Sequence, residues 1–302
     1  MQILLTGGTG LVGRALCRHF QQQGDSLVVL SRQPDKVAGL CSGARGIRNL
    51  DELDNSEPVD VVINLAGAPI ADRPWTKNRR RMLRESRIDL TRNLVDWMGQ
   101  REQPPAVLLS ASATGWYGDR GEEPVDETSA APAADFASQL CQDWEAEVMR
   151  AKKLGTRVAC LRVAPVMSAD GGMLAKLLPV FRLGLGGRLG SGQQWMPWIH
   201  IDDLVRLFAH VLANDSCAGI YNACSPQPVR NAEFTRILAR TLRRPALLPA
   251  PAWALKLLLG EMSVLLVGGH HVQPRRTADS GFEWEQPELS AALQNLLSRK
   301  DG

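Results

Sequence analysis

Several features are missing from this chain of 302 residues, and each absence removes a class of function. The six cysteines, Cys17, Cys41, Cys141, Cys160, Cys217 and Cys224, show no C-x-x-C spacing, so neither a disulfide framework nor a metal site is implied. No uncharged apolar stretch is long enough to span a bilayer. No basic segment followed by a cleavable apolar one precedes Met1–Leu5, which argues against secretion. Charge of one sign is also scarce. A net charge of +3 is too small for a nucleic-acid or membrane partner, which needs basic residues gathered on one face. The densest basic run, Arg79-Arg80-Arg81 through Arg84 and Arg87, reads as a solvated helix face. There is no internal repeat and no low-complexity tail. A reduced, cytoplasmic protein acting on a small molecule is the expectation.

What is present is enough for a sizeable core, at 44% hydrophobic and 22% charged residues. Short β-branched or leucine-rich runs alternate with amphipathic stretches, the pattern of βαβ units in a parallel sheet. Strands are expected at Gln2–Thr6, Ser26–Leu30, Val59–Leu65, Ala106–Ser110 and Arg157–Val163. Leu11, Val12, Ala15, Leu16 and Phe20 recur at the spacing of one helix face, as do Ile88, Leu90, Leu94, Val95 and Met98. The fold class is α/β, a Rossmann-like doubly wound parallel sheet with a smaller C-terminal substrate-side lobe. A nucleotide-binding domain is expected over 1–165, its sheet completed by later segments around 199–225. A mixed lobe follows over 166–302, with a small C-terminal domain at about 245–295. Within it, Ala252–Leu259 reads as a helix that starts after Pro249 and Pro251 and packs against the rest.

The first strand runs into Thr6-Gly7-Gly8-Thr9-Gly10-Leu11-Val12-Gly13 and then directly into a helix. Glycines are required where a turn is tight, where backbone must approach a pyrophosphate without an intervening Cβ, and where helix and strand pack closely. The helix N-terminus supplies unpaired N–H groups to phosphates. Gly7, Thr9, Gly10, Leu11, Val12 and Gly13 are therefore the candidate cradle of a dinucleotide. A site preferring NAD places a carboxylate at the end of the second strand; this chain has Ser31-Arg32, a hydroxyl and a guanidinium suited to a 2′-phosphate. NADP(H) is the expected cofactor.

The glycine loop, Asn64-Leu65-Ala66-Gly67, the run Ser110-Ala111-Ser112-Ala113-Thr114-Gly115-Trp116-Tyr117-Gly118-Asp119, Phe181 to Gly187, and Pro197-Trp198-Ile199-His200-Ile201-Asp202-Asp203-Leu204 resemble the extended and atypical short-chain dehydrogenase/reductases. Within them the chain looks like the epimerase-like family described as nucleoside-diphosphate-sugar epimerases, and its C-terminal part resembles that family's small domain of uncharacterised function. The resemblance implies that Leu65, Ala66 and Gly67 line the cofactor channel, that Arg87 faces the cofactor, and that Val166 sits near the nicotinamide. It further implies a Tyr-x-x-x-Lys pair that moves a proton, with the Lys cation making the phenolate accessible against an ordinary pKa near 10.

Here those two positions are Phe136 and Leu140, which carry no transferable proton. Ser112 matches the hydroxyl that holds the substrate oxygen, and Tyr117 is the first substitute for the missing acid. Thr114, Asp119, Cys141 and His200 are further candidates. Trp195 and Trp198 could stack on a ligand or anchor the core. Two functions remain open: an NADP(H)-dependent oxidoreductase or epimerase acting on a sugar nucleotide or carbonyl compound, or a non-catalytic NADPH-binding sensor.

Overall fold

The structure is a computed structural model that describes residues 1–132 and 135–298. Its centre is a seven-stranded sheet whose members we number along the chain: β1 Gln2–Thr6, β2 Ser26–Leu30, β3 Arg45–Ile47, β4 Val61–Asn64, β5 Val107–Ala113, β6 Arg157–Val163 and β7 Gly219–Ala223. They lie side by side in the order β3-β2-β1-β4-β5-β6-β7. Every pairing is parallel. This is the doubly wound α/β architecture the sequence implies, with the order reversing beside β1. Val61, Val62 and Ile63 are all buried, as expected of a strand covered on both faces.

Alternation along the strands sends side chains into two cores. Ile3, Leu5, Val29 and Ile63 face a layer made by the helices Leu11–Gln22 and Ile201–Ala213. Leu4, Val28, Val62 and Leu108 face the helices Leu90–Gln100 and Phe136–Met149. A third core holds Leu178, Phe181, Phe234, Leu238 and Leu293, from the helices Gly172–Arg182, Asn231–Thr241 and Leu289–Ser298, together with Trp198. Two-residue strands add short pairings outside the central sheet: Trp195–Met196 pairs with Val229–Arg230, and Pro124–Val125 pairs with His271–Val272, which joins the C-terminal part to the segment after β5.

Three details depart from the sequence expectations. The strand expected at Val59–Leu65 is shorter, at Val61–Asn64, and the one expected at Ala106–Ser110 extends to Ala113. The strand Arg45–Ile47 was not anticipated, because three residues including a glycine give no hydrophobic run. The helix Ala252–Leu259 forms where expected but does not bury its apolar side: Trp253 is 70% exposed, Leu257 79% and Leu258 72%. The basic run likewise divides. Arg80 pairs with Glu261, Arg81 with Glu85 at 3.5 Å and Arg84 with Asp143 at 2.8 Å, whereas Arg87 turns inward.

All six cysteines are free and buried. No helix of the described residues is long and apolar enough to cross a membrane. Because Leu257 and Leu258 contribute almost no burial, the double substitution Leu257→Lys, Leu258→Lys should shift stability by no more than about 0.5 kcal/mol per site, measured by urea denaturation.

Candidate functional site

Where β1 ends, the glycine loop is packed so tightly that side chains have no room. Gly7 has φ +70°, and a Cβ there would lie 2.8 Å from the carbonyl carbon of Leu65. A Cβ on Gly13 would lie 2.4 Å from the carbonyl oxygen of Gly7, and one on Gly8 would lie 2.7 Å from Val29 Cγ1. Gly10 donates its N–H to Gly7 O at 3.0 Å and opens the helix Leu11–Gln22 with no side-chain cap. Thr9, Leu11 and Val12 are half-buried around this turn. Uncapped first-turn amides at a glycine turn form an anion site suited to the phosphates of a dinucleotide.

A row of polar side chains fixes the strand ends behind this loop. Thr6, Asn64 and Ser110 are opposite one another in register on β1, β4 and β5. Thr6 Oγ1 donates to Asn64 Oδ1 at 2.7 Å and accepts from the backbone N–H groups of Leu65 and Ala66 at 3.2 and 3.1 Å. Asn64 Nδ2 donates to Thr91 Oγ1 at 2.9 Å and to Ser110 Oγ at 3.2 Å, and Trp144 Nε1 also donates to Thr91 at 3.0 Å. The segment Leu65-Ala66-Gly67 is thus held against the glycine loop.

Arg87 fastens the far end of that segment. Its Nη2 donates to Ala68 O at 3.0 Å, and its guanidinium lies so close to Gly67 that a Cβ there would sit 2.8 Å from Cζ. The ring of Trp144 lies 5.4 Å below it, and burial lowers the pKa of Arg87 from its usual value. On the other side of the loop, Ser31 donates its N–H to Ile47 O and accepts at Oγ from Gln33 N–H, which leaves Arg32 exposed just past β2. Val166 lies just beyond β6, half-buried between the first and third cores and paired with Ile199.

A second polar row lies across β5, β6 and β7, where Ser112, Arg162 and Asn222 are in register. Ser112 Oγ donates to Glu145 Oε1 at 2.7 Å, and Glu145 receives both Nε and Nη2 of Arg162 at 2.9 Å. Arg162 stacks 3.5 Å from the Trp116 ring. Tyr117 is fully buried and donates its hydroxyl to Asn222 Oδ1 at 2.8 Å; burial pushes its pKa up to about 12. Ser112 and Tyr117, the two catalytic candidates read from the sequence, are therefore committed to partners inside the protein. Neither lines the neighbouring cavity. The ion pair Glu145–Arg162 escaped the sequence reading, because neither charge stands out: the helix also carries Asp143 and Glu147, and the strand Arg157.

That cavity, of about 310 Å³, opens at the carboxyl ends of β5 and β6. Its floor is Ala113, Thr114, Val163, Ala164 and Pro165, and its rim includes Trp195, Met196 and Leu265. Trp195 stacks on His271 with centroids 4.3 Å apart, lies 4.4 Å from the Arg230 guanidinium, and donates Nε1 to Glu122 at 3.1 Å. Arg230 bonds both oxygens of Glu122, at 2.8 and 2.7 Å. Trp198, by contrast, is wholly buried and donates to Gln227 O, so it is a core anchor.

Of the further candidates, Cys141 lines the cavity, but burial raises its pKa to about 12 and it stays a thiol. His200 caps the helix Ile201–Ala213 through Nδ1, and Asp119 accepts backbone N–H groups of Gly121 and Gly269. Phe136 packs edge-on to Trp75 under Arg80, and Leu140 is buried in the second core. His270, not singled out in the sequence, joins the cavity wall with Nε2 buried and without a partner among the described residues. No group of three His, Cys, Asp or Glu side chains among the described residues is arranged to hold a metal ion.

Residues 3–224 match the profile of the NAD dependent epimerase/dehydratase family. The chain belongs to this family. Residues 250–296 of this epimerase-family protein match a domain of unknown function, DUF1731. It is 37% identical over 304 residues to the chloroplastic "Epimerase family protein SDR39U1 homolog" of Arabidopsis thaliana, covering 98% of this chain and 87% of that one. It is 34% identical to epimerase family protein SAB0724c of Staphylococcus aureus (strain bovine RF122 / ET3-1), covering 99% of both. Among solved structures it is similar to the human epimerase family protein SDR39U1 (isoform2), crystallised with NADPH, with a TM-score of 0.89, 32% identity and 99% coverage of both chains.

Two outcomes are expected for this epimerase-family protein. Asn64→Leu removes the acceptor of the buried Thr6 hydroxyl, while Thr91 keeps its bond from Trp144, and should cost about 1–3 kcal/mol of stability in urea unfolding, the range for one buried group left unpaired. Second, Tyr117 has a folded pKa raised above the unfolded value near 10, so its contribution is intact below pH 10 and lost as pH rises toward 12. Unfolding free energy should fall by about 2–3 kcal/mol across that window, and the phenolate absorbance of Tyr117 should appear only with unfolding.

Proposed function

We propose that this chain binds NADP(H) and works as an oxidoreductase of the atypical short-chain dehydrogenase type. The observation that carries this reading is the cavity's position: it opens at the carboxyl ends of β5 and β6, on the side of the sheet where the glycine loop and the Leu65–Gly67 segment also lie. The glycine turn fits the cofactor in a testable sense, since its Gly7 and Gly13 positions have no space for a Cβ and its first-turn amides are uncapped. Gly7, Thr9, Gly10, Leu11, Val12 and Gly13 would hold the pyrophosphate, Ser31 and Arg32 the 2′-phosphate, and Leu65, Ala66 and Gly67 the dinucleotide's span, with Val166 toward the nicotinamide. Arg87 holds that span in place through Ala68 and would face the cofactor from beside Gly67. When bound, the cofactor supplies or accepts a hydride. The human relative crystallised with NADPH supports the choice of cofactor.

The chain's own residues divide the remaining work. Ser112 cannot lend its proton to a substrate oxygen while it donates to the Glu145 carboxylate, so the ion pair orders the wall instead of polarising a ligand. Thr114 lies in the cavity floor, its side-chain hydroxyl bonds to no other described residue, and it takes the place expected of Ser112. Phe136, in place of the phenol, packs on Trp75 and Leu140, in place of the ammonium, in the second core, and neither lines the cavity; from the same helix Ala137 and Cys141 do, an alanine and a thiol held neutral by burial.

Those same substitutions favour a second reading, a non-catalytic NADPH sensor. The two part on one measurement: turnover of NADPH with any carbonyl or nucleotide-sugar substrate supports the enzyme, and tight binding without turnover across such a panel supports the sensor. For the cofactor itself, calorimetry should show NADPH binding more tightly than NADH. Arg32→Ala should weaken NADPH about 10–100-fold and leave NADH nearly unchanged, the loss of one charge-assisted contact. Equal losses for both nucleotides would sink the assignment of Arg32.

A further inference from the structure

Resting on the oxidoreductase reading, we infer that the cavity takes a compact, uncharged and mostly apolar carbonyl compound, or the matching alcohol, and not a nucleotide sugar, with the Thr114 hydroxyl as the hydrogen-bond partner of its oxygen. The wall contains no Lys or Arg among the described residues. Arg182 and Arg188, the arginines available to a diphosphate, are not in it. Its ionisable members are of the wrong kind to replace them. Asp119 and Asp135 are carboxylates already accepting backbone N–H groups, and Cys141 is held as a neutral thiol. His270 is neutral as well, since burial lowers its pKa to about 4. A diphosphate entering here would lose its water and meet no cation, at a cost of several kcal/mol per unpaired charge.

Size agrees with charge. At about 310 Å³ the cavity is at the small end of ligand pockets, which run about 300–1,000 Å³. Its walls are aliphatic for most of their extent: Ile70, Val163, Met173, Leu189, Val264 and Leu266.

The polar groups that remain available are few. Asn231 is spent on Leu189 N–H and Met196 Sδ, and Trp195 Nε1 on Glu122. Among the described residues the Thr114 hydroxyl bonds to no other side chain or backbone group, and His270 Nε2 is buried without a partner. One hydroxyl that can donate and one imidazole nitrogen in an apolar wall suit a ligand with a single oxygen functional group, the usual composition of a small-molecule pocket.

The test is a titration followed by Trp195 fluorescence, run on the protein both free and saturated with NADP⁺, with acetophenone, nonanal and UDP-glucose as probes. Saturable quenching by acetophenone or nonanal, and none by UDP-glucose, is expected. Thr114→Val, of nearly the same shape, should weaken the carbonyl probes about 2–10-fold, the loss of one hydrogen bond. Val264→Trp, which fills the cavity from the C-terminal lobe, should abolish probe binding while NADPH affinity stays within about twofold. A thermal melt of each variant establishes that it folds. Binding of UDP-glucose as tight as that of the carbonyl probes overturns the inference, as does failure of both carbonyl probes to bind. If NADPH does not bind, the cofactor reading falls on its own, because the probe titration on free protein still decides the ligand class.

Discussion

The hydrogen bond from Thr6 to Asn64 is the constraint on which the rest of the site depends. Asn64 has no solvent exposure and Thr6 almost none, so each must find its partners inside the sheet. Asn64 satisfies its amide with Thr91 and Ser110, and Thr6 turns its lone pairs to the N–H groups of Leu65 and Ala66. The chain leaving β4 is therefore drawn beside Gly7, at a spacing that only glycine tolerates. One amide side chain links three strands and a helix, and it sets how close the two loops at the sheet's carboxyl edge come.

Most of the scaffold was legible in the sequence because the signals were local. Gln2–Thr6, Ser26–Leu30 and Arg157–Val163 are apolar runs with clear edges, and they are strands over those same residues. The glycine spacing carried its own explanation, as a Cβ at Gly7 or Gly13 collides with backbone. Arg45–Ile47 was silent because its pairing with β2 supplies the stability that its composition does not. The helix Ala252–Leu259 was legible as a helix, but its packing was not, since an apolar composition says nothing about whether a neighbour is there to receive it.

The site was legible in part, and the failure had a geometric cause. Ser112 was chosen from the order of residues in a motif, whereas a strand shows alternate side chains to opposite faces. Ser110 and Ser112 share the face that meets the helix Phe136–Met149, and each finds a partner there or beside it. The cavity is reached one and two residues later, by Ala113 and Thr114. Tyr117 follows the same logic: a Tyr in a loop suggested access, and in the structure Asn222, more than a hundred positions away in sequence, receives its hydroxyl. Long-range pairs such as this, and Glu145 with Arg162, leave no local pattern.

The rim of the cavity is built differently from its floor. The floor belongs to long paired strands and to buried bonds, while the rim combines one two-residue strand pair with the ion pair of Glu122 and Arg230, an exposed pair worth no more than about 1 kcal/mol and screened by salt. A base of buried bonds under a collar that an exposed ion pair helps to close puts the salt-sensitive part of this cavity at its mouth and the salt-independent part at its depth.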